Sequence, residues 1–129
     1  YGCVESLAAG RFVAEAYGTD DAARVYAAAA GGEAKAVAII RRAEAALGNL
    51  AVMLANGLNP ELIVVGGSIA EHEPSHTLDP MRKAIAERAF RVAAQAVRVV
   101  PPGLGRDVGM LGAVISARER LAGRADWFL

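Results

Sequence analysis

Apolar residues recur every three or four positions over most of the chain, which is the period of an amphipathic helix. In the first such segment the apolar face contains Ala8, Phe12, Val13 and Ala16, whereas Arg11 and Glu15 lie on the other side. Glycine or proline follows several of these segments, and both residues commonly mark helix ends. The pattern predicts helices over Glu5–Tyr17, Asp21–Ala30, Glu33–Leu58, Leu78–Ala94 and Val108–Leu121.

Two short segments are rich in β-branched residues instead. Leu62–Val65 stands between Pro60 and a pair of glycines, and Val97–Val100 ends at a pair of prolines. Both are predicted to be strands, and the continuous apolar run of Leu62–Val65 is typical of a parallel strand buried on both faces. The helix between them completes a βαβ unit, which is almost always right-handed. Ser68–Thr77 is predicted to be a loop with room for a short turn of helix, and Gly103–Asp107, after the second strand, is predicted to be a loop.

The long third helix supplies much of the predicted core. Its apolar stripe comprises Val37, Ile40, Ala43, Leu47, Leu50, Leu54 and Leu58. Gly48 and Gly57 are weak helix formers, so each indicates a closely packed neighbour or fraying near the helix end. In the following helix the inward residues are predicted to be Met81, Ile85, Ala89 and Phe90. The apolar tail Trp127-Phe128-Leu129 is expected to dock against another surface.

Composition narrows the class of protein. The chain has 129 residues, which suits one domain, and 54% of them are hydrophobic, which excludes global disorder. Fourteen basic residues balance fourteen acidic ones, so this segment is expected to bind no nucleic acid. The single cysteine excludes an intrachain disulfide. No membrane-spanning run or signal peptide is visible, and a cytoplasmic location without membrane contact is expected.

The chain begins with Tyr1, and its methionines occur only at Met53, Met81 and Met110. A sheet of two strands is rarely stable by itself. We therefore expect the chain to be part of a longer protein whose further strands lie upstream. An open strand edge and uncovered apolar helix faces attract partners, so we also expect the isolated chain to self-associate.

Gly66, Gly67 and Ser68 directly follow the first predicted strand. Ligands of open α/β sheets bind beyond the carboxyl ends of the strands, and glycine lets a ligand approach the backbone closely. This segment could therefore border a nucleotide, or it could be a tight turn that binds nothing. Neither the dinucleotide-binding glycine fingerprint nor a Walker A motif is present.

Other polar residues are weaker candidates. His72 and His76 have helical ligand spacing, but Pro74 between them favours a solvated loop near the mouth of a cleft over a metal site. No serine lies in the setting of a hydrolase nucleophile. The charged residues of the last helix, predicted to form a solvated face, are Arg118, Glu119, Arg120 and Arg124.

Taken in succession, several segments resemble the ROK family, which contains bacterial sugar kinases and sugar-responsive repressors. The resemblance rests on Gly2-Cys3-Val4-Glu5-Ser6 with Ala9-Gly10, on Asn59-Pro60-Glu61 before Val64-Val65-Gly66-Gly67, on Val97-Arg98-Val99-Val100-Pro101, and on Leu104-Gly105 with Gly109-Met110-Leu111-Gly112-Ala113. It implies an α/β fold, namely a helix-rich, partial ribonuclease-H-like lobe of the actin-like ATPase fold. Residues 1–129 would then be the C-terminal part of that lobe, and the N-terminal lobe and the start of this one would be absent.

The resemblance also implies roles for individual residues. Cys3 matches a zinc ligand of the family signature, whose other ligands would precede Tyr1, so the chain alone is expected to hold no zinc. Glu5 matches the glutamate that binds sugar hydroxyls. Gly66, Gly67 and Ser68 match the segment beside the adenosine of ATP. The family's phosphate loop and catalytic aspartate are not in this sequence, so no catalytic residue is assigned and the chain alone is expected to be inactive.

Three hypotheses about function remain open. The first is the C-terminal portion of an ATP-dependent, glucokinase-type hexose kinase that uses ATP, Mg²⁺ and zinc. The second is the sugar-sensing domain of a ROK-type transcriptional repressor, whose DNA-binding segment would lie upstream. The third is a lobe that has lost its ligand site and serves only in assembly. Family resemblance implies sugar and ATP as small-molecule partners and a homo-oligomeric state.

Overall fold

The computed structural model describes residues 3–124 of the chain, so the predicted docking of Trp127-Phe128-Leu129 falls outside the described residues. In chain order the elements are α1 (Glu5–Ala8), α2 (Gly10–Tyr17), α3 (Ala22–Ala30), α4 (Ala34–Leu58), β1 (Leu62–Val64), α5 (Ser68–His72), α6 (Pro74–Arg88), α7 (Arg91–Ala96), β2 (Arg98–Val100), a 3₁₀ turn (Gly105–Asp107) and α8 (Val108–Leu121). The result is a helix-rich α/β fold with a small parallel sheet.

The first predicted helix is two helices that meet at Ala9. Ala9 has an extended backbone, with φ −73° and ψ 141°, and α2 begins at the following glycine. A Cβ added at Gly10 would lie 3.1 Å from Cδ1 of Ile69. The bend therefore allows the start of α2 to pack closely against α5. Helix α2 ends at Gly18, whose positive φ of 97° is typical of a glycine C-cap.

The two strands pair in parallel, with Leu62 opposite Arg98 and Val64 opposite Val100. This confirms the predicted strand–helix–strand order, although three helices, α5 to α7, form the connection. The prediction that β1 is buried on both faces is wrong. Leu62 is 44% exposed and Val64 is 55% exposed, because helices cover only one face of β1 among the described residues.

The outer edges of the two strands differ. Alternate residues of a parallel strand turn their backbone groups toward its partner, and Arg98 does so by donating its N–H to the carbonyl of Glu61 at 3.0 Å. The carbonyl of Val99 consequently points away from β1, and there it accepts hydrogen bonds from Nε and Nη2 of Arg82, at 3.0 and 2.8 Å. Arg82 thus caps the outer edge of β2.

Two apolar clusters lie along α4. The cluster at its first half contains the buried side chains of α2, α3 and α4, namely Val13, Val25, Tyr26, Ala36, Ile40 and Ala43. The cluster at its second half joins α4 to α6, α7 and β2 through Ala51, Ala55, Leu78, Met81, Ile85, Ala93 and Val99. Helix α4 is therefore the element that holds the two halves together.

The buried stripe of α4 consists mostly of small residues: Ala36, Ile40, Ala43, Ala46, Gly48, Ala51 and Ala55. Of the predicted stripe, Leu47, Leu50 and Leu54 are only half-buried, and Leu58 is 73% exposed. A Cβ at Gly48 would lie 2.9 Å from Cβ of Ala84, whereas one at Gly57 would meet nothing within 4 Å. Gly48 therefore marks a closely packed neighbour, and small side chains bring α6 close to α4.

The segment predicted as the loop Ser68–Thr77 is helical instead. It forms α5 and the first turn of α6, which are separated at Glu73. Pro74 occupies the start of α6. A proline is tolerated at that position because the N–H it lacks would have no partner within the helix.

The helix predicted over Leu78–Ala94 is interrupted after Arg88, and the predicted inward position of Phe90 is wrong. Phe90 is 70% exposed. Its backbone N–H donates to Oδ1 of Asn56 at 2.9 Å. Because Asn56 lies on α4, this hydrogen bond holds the break between α6 and α7 against that helix. Met81 and Ile85 are buried as predicted, and Ala89 is half-buried.

Helix α8 contains no buried residue. Met110 and Val114 are 65% and 59% exposed, so the described part of the chain does not cover the apolar residues of α8. Its C-terminal charged face is solvated as predicted, and Arg124 Nε donates to Glu119 at 2.7 Å. None of the helices described between residues 3 and 124 combines the length and hydropathy needed to cross a membrane.

Candidate functional site

The chain leaves β1 through two glycines at the carboxyl end of the sheet. Gly67 has φ 108° and ψ 163°, a conformation that residues with a side chain rarely adopt. A Cβ at Gly67 would meet nothing within 4 Å, and one at Gly66 would meet only Pro102, at 3.7 Å. The backbone of Gly67 is therefore open to an approaching ligand.

Ser68 follows as the first residue of α5 and is exposed. Its carbonyl lies 2.7 Å from Nδ1 of His72, so in the neutral ring Nδ1–H is the donor. The other ring nitrogen, Nε2, is then left as an acceptor. His72 is exposed as well, so the structure brings two polar side chains, Ser68 and His72, to the surface of one short helix next to the glycine turn.

Two concavities flank α5. One, of ≈ 260 Å³, lies between α3 and α5, and its lining includes Tyr26, Ser68, Ile69, His72 and Glu73. The other, of ≈ 390 Å³, lies between α5, the start of α6 and the loop after β2, and it is lined by Ala70, Glu71, His72, Pro74, Leu78, Pro101, Pro102 and Gly105. Pro102, which lines the larger concavity, is also the neighbour of Gly66, so the segments that follow the two strands lie close together, as expected where parallel strands end.

Behind the smaller concavity lies a group of side chains from three helices. The ring of Tyr26 is 5.4 Å from that of His76, centroid to centroid, and Nδ1 of His76 donates to Oε1 of Glu44 at 2.7 Å. Burial, reinforced by the charges of Glu73 and Glu44, raises the pKa of Tyr26 to about 12. Tyr26 is therefore neutral at physiological pH and can donate a hydrogen bond.

These contacts correct the expectation of a solvated histidine loop. His72 and His76 lie on different helices, and each already engages its Nδ1 atom. Over residues 3–124 no three histidine, cysteine or acidic side chains are grouped so that they could hold a metal ion. The contact between His76 and Glu44 joins residues 32 positions apart, which no local pattern in the sequence reveals.

Glu5 is the first residue of α1 and is exposed. Its carboxylate forms no hydrogen bond or ion pair with the described residues, so its oxygens are available as acceptors. The segment containing Glu5 meets the segment containing Ser68 through the contact between Gly10 and Ile69. Two of the predicted binding segments are therefore physically connected.

Cys3 is exposed. The backbone N–H of Ser6 holds the pKa of its thiol below the usual value, which favours the thiolate that metals bind. The hydroxyl of Ser6 donates to the carbonyl of Cys3 at 2.8 Å. A structural zinc ion requires four ligands. Cys3 has no companion ligand in the part of the chain that is described, so these residues do not form a zinc site, and the role of Cys3 in one stays a prediction.

Comparison with known proteins supports the resemblance noted in the sequence. A search of curated proteins gave no match. The model of the ROK family matches residues 1–120, which includes the segment of Cys3 and Glu5, the glycine turn and both strands. The helix-rich fold with a small parallel sheet is compatible with part of such a protein. Sugar kinases and transcriptional regulators both occur in this family, and the chain belongs to the ROK family.

Proposed function

We propose that this chain is the C-terminal portion of an ATP-dependent sugar kinase of glucokinase type. The observation that carries this proposal is the open backbone at Gly67, which lies at the carboxyl end of a parallel strand and directly before α5, the helix that two concavities flank. Ligands of α/β folds bind at this end of the sheet. The conclusion also rests on family membership, which limits the choice to sugar kinases and sugar-responsive regulators.

In this proposal the adenosine of ATP lies against Gly66 and Gly67. The absence of side chains at the turn lets the ribose or the base approach the backbone at van der Waals distance. Ser68 offers a hydroxyl that can donate or accept a hydrogen bond, and Ile69 and Tyr26 give the neighbouring concavity apolar surface for a base. These residues bind and orient the nucleotide; none of them is assigned a catalytic role.

The sugar is assigned to Glu5. A carboxylate accepts hydrogen bonds at both oxygens, so it can hold adjacent sugar hydroxyls in fixed directions. The free carboxylate of Glu5 is consistent with that task. As in kinases generally, Mg²⁺ would neutralise the charge of the ATP phosphates during transfer. No step of the proposal depends on zinc.

Nucleotide binding by the chain itself gives the first test. We expect ADP, titrated into the 129-residue chain, to shift the backbone amide resonances of Gly66, Gly67 and Ser68. Gly67→Ala should weaken ADP binding at least about tenfold, because a methyl group would occupy the open face. Binding of ADP elsewhere, with these resonances unmoved, would contradict the assignment.

The chain offers a matched control for that variant. Gly32 also has a positive φ, 83°, and open space around its Cα, but it lies at the turn after α3. Alanine at Gly32 should cost about 1 kcal/mol of stability because L residues disfavour positive φ. At Gly67, whose φ of 108° and ψ of 163° are essentially confined to glycine, alanine should cost on the order of 1–3 kcal/mol. Gly32→Ala therefore introduces the same kind of backbone strain away from the glycine turn, and it should leave ADP affinity unchanged.

A further inference from the structure

A third concavity lies away from the glycine turn. It measures ≈ 620 Å³ and opens between the α1–α2 segment and α4. Its apolar surface comes from Leu7, Phe12 and Ala16, and its polar surface from Ser6, Arg11, Glu15 and Arg42. Neither the nucleotide nor the sugar assignment uses this space.

Two guanidinium groups from different helices line this concavity without a carboxylate partner. Arg42 on α4 forms no ion pair or hydrogen bond with the described residues. Arg11 on α2 has one partner among them, the ring of Phe12, whose centroid lies 5.5 Å from the guanidinium carbon. Glu15 lines the same space but pairs with neither arginine. The concavity therefore carries an excess of positive charge.

Such a pair of cations suits one kind of ligand. A guanidinium presents parallel N–H donors that match the oxygens of a phosphate group, and stacking on an aromatic ring restricts its orientation. The hydroxyl of Ser6 adds a possible donor, and the apolar wall suits a small ring or hydrocarbon. We propose that this concavity binds a phosphomonoester, with the phosphate group between Arg11 and Arg42 and the organic part against Leu7 and Phe12.

The positive charge of this concavity is not part of an overall positive field. The chain has formal net charge +0, so no overall positive field draws anions to it. Arg41, the neighbour of Arg42 along α4, lines a different groove, which also contains Lys83 and Arg88 together with the carboxylates of Glu44 and Glu87. Two adjacent arginines thus have different surroundings, and only Arg42 is placed to meet a phosphate beside Arg11.

Three probes separate the parts of the proposed ligand: phenyl phosphate, inorganic phosphate and phenol. Each is titrated into the 129-residue chain while backbone amide resonances are followed. We expect phenyl phosphate to bind more tightly than inorganic phosphate, phenol not to bind, and the shifts to centre on Ser6 and Phe12. Equal affinity for phenol and phenyl phosphate, or shifts centred on Gly66–Ser68, would overturn the assignment.

Arginine variants test the geometry. Arg42→Gln and Arg11→Gln should each weaken phenyl phosphate binding about tenfold, because each removes charge-assisted hydrogen bonds. Arg41→Gln makes the same change in net charge and should alter affinity less than about twofold. All three residues are exposed, so the fold should be kept, as circular dichroism would verify. Equal weakening by Arg41→Gln and Arg42→Gln would show diffuse attraction and refute a defined phosphate site.

Discussion

The two ends of the chain use similar apolar patterns with opposite results. In the helices around the first half of α4, Val13 and Val25 are fully buried. In α8 apolar residues also recur three and four positions apart, with a less distinct apolar face, and Val114 is 59% exposed and Ile115 is 46% exposed. The difference teaches that periodicity identifies which face of a helix is apolar, whereas tertiary contacts decide whether that face is covered.

The same contrast divides the sheet. The face of β2 that meets α6 is buried at Val99, whereas Leu62 and Val64 present apolar side chains outward from β1. Arg82 also caps the outer edge of β2, while nothing comparable from the described residues caps that of β1. Covered and uncovered apolar residues therefore occupy opposite faces of one sheet, and stability should depend on the covered face alone.

The largest expected effect compares two isoleucines. Ile40→Ala removes a side chain that is 3% exposed within the first cluster, so it should lower the free energy of unfolding by about 2–4 kcal/mol. Ile115→Ala, on the uncovered α8, should change it by less than about 0.5 kcal/mol. Urea denaturation of both variants measures the difference. Similar losses would mean that α8 is packed against the rest of the chain.

The next effect concerns pH. Because the pKa of Tyr26 is raised to about 12 in the folded chain, the unfolded chain releases this proton first, at its ordinary value near 10. The contribution of Tyr26 to the free energy of unfolding is full below pH 10 and is lost as the pH rises through 12. This loss should lower the free energy of unfolding by on the order of 1–2 kcal/mol. Tyr26→Phe should remove that part of the alkaline loss.

Urea denaturation between pH 8 and pH 12 checks this expectation. Tyr17→Phe gives a comparison, because the hydrogen bond that Tyr17 donates to Glu33 at 2.7 Å also raises the pKa of this half-buried tyrosine. This variant should remove a smaller, separate part of the alkaline loss. Subtracting the profile of each variant from that of the unmodified chain removes the common loss from lysine titration. A profile of Tyr26→Phe that parallels the unmodified chain would refute the assigned environment of Tyr26.

A smaller effect compares two glycines of α4. Alanine is the better helix former by about 1 kcal/mol, so Gly57→Ala, with open space around it, should stabilise the chain by up to that amount. Gly48→Ala would place Cβ 2.9 Å from Ala84 and force α4 and α6 apart, for a net loss of about 1 kcal/mol. Thermal denaturation should show midpoints that move in opposite directions. A shift of both midpoints in the same direction would show that the two helices are not closely packed at Gly48.

Much of the fold follows from sequence patterns, and the failures share a cause. Helical periodicity and the two β-branched runs predict the order of the main elements. The break after Arg88 escapes prediction because the residue that fixes it, Asn56, is 34 positions from Phe90. The bend at Ala9 likewise depends on the remote contact between Gly10 and Ile69. Local sequence carries no record of such partners.

The candidate site shows the same limit. The glycine pair after β1 predicts an open turn at the carboxyl end of a strand, and the positive φ of Gly67 confirms the turn. Pro74 favours a loop if it lies inside a helical segment, but it is acceptable at the start of a helix, and the structure places it there. The group of Tyr26, His76 and Glu44 comes from three helices, so it becomes visible only in three dimensions.

The central claim is that the chain belongs to a sugar kinase, and sugar-dependent ATP turnover tests it most directly. The assay would use the full-length protein containing this chain, with glucose, N-acetylglucosamine, mannose and fructose. We expect turnover with at least one hexose, and we expect Glu5→Gln to raise the KM for that sugar about tenfold or more, because its charged acceptor is lost. If the folded protein showed no turnover with any of the four sugars and bound DNA in a sugar-dependent way, the kinase proposal would be contradicted. That result would establish the repressor hypothesis.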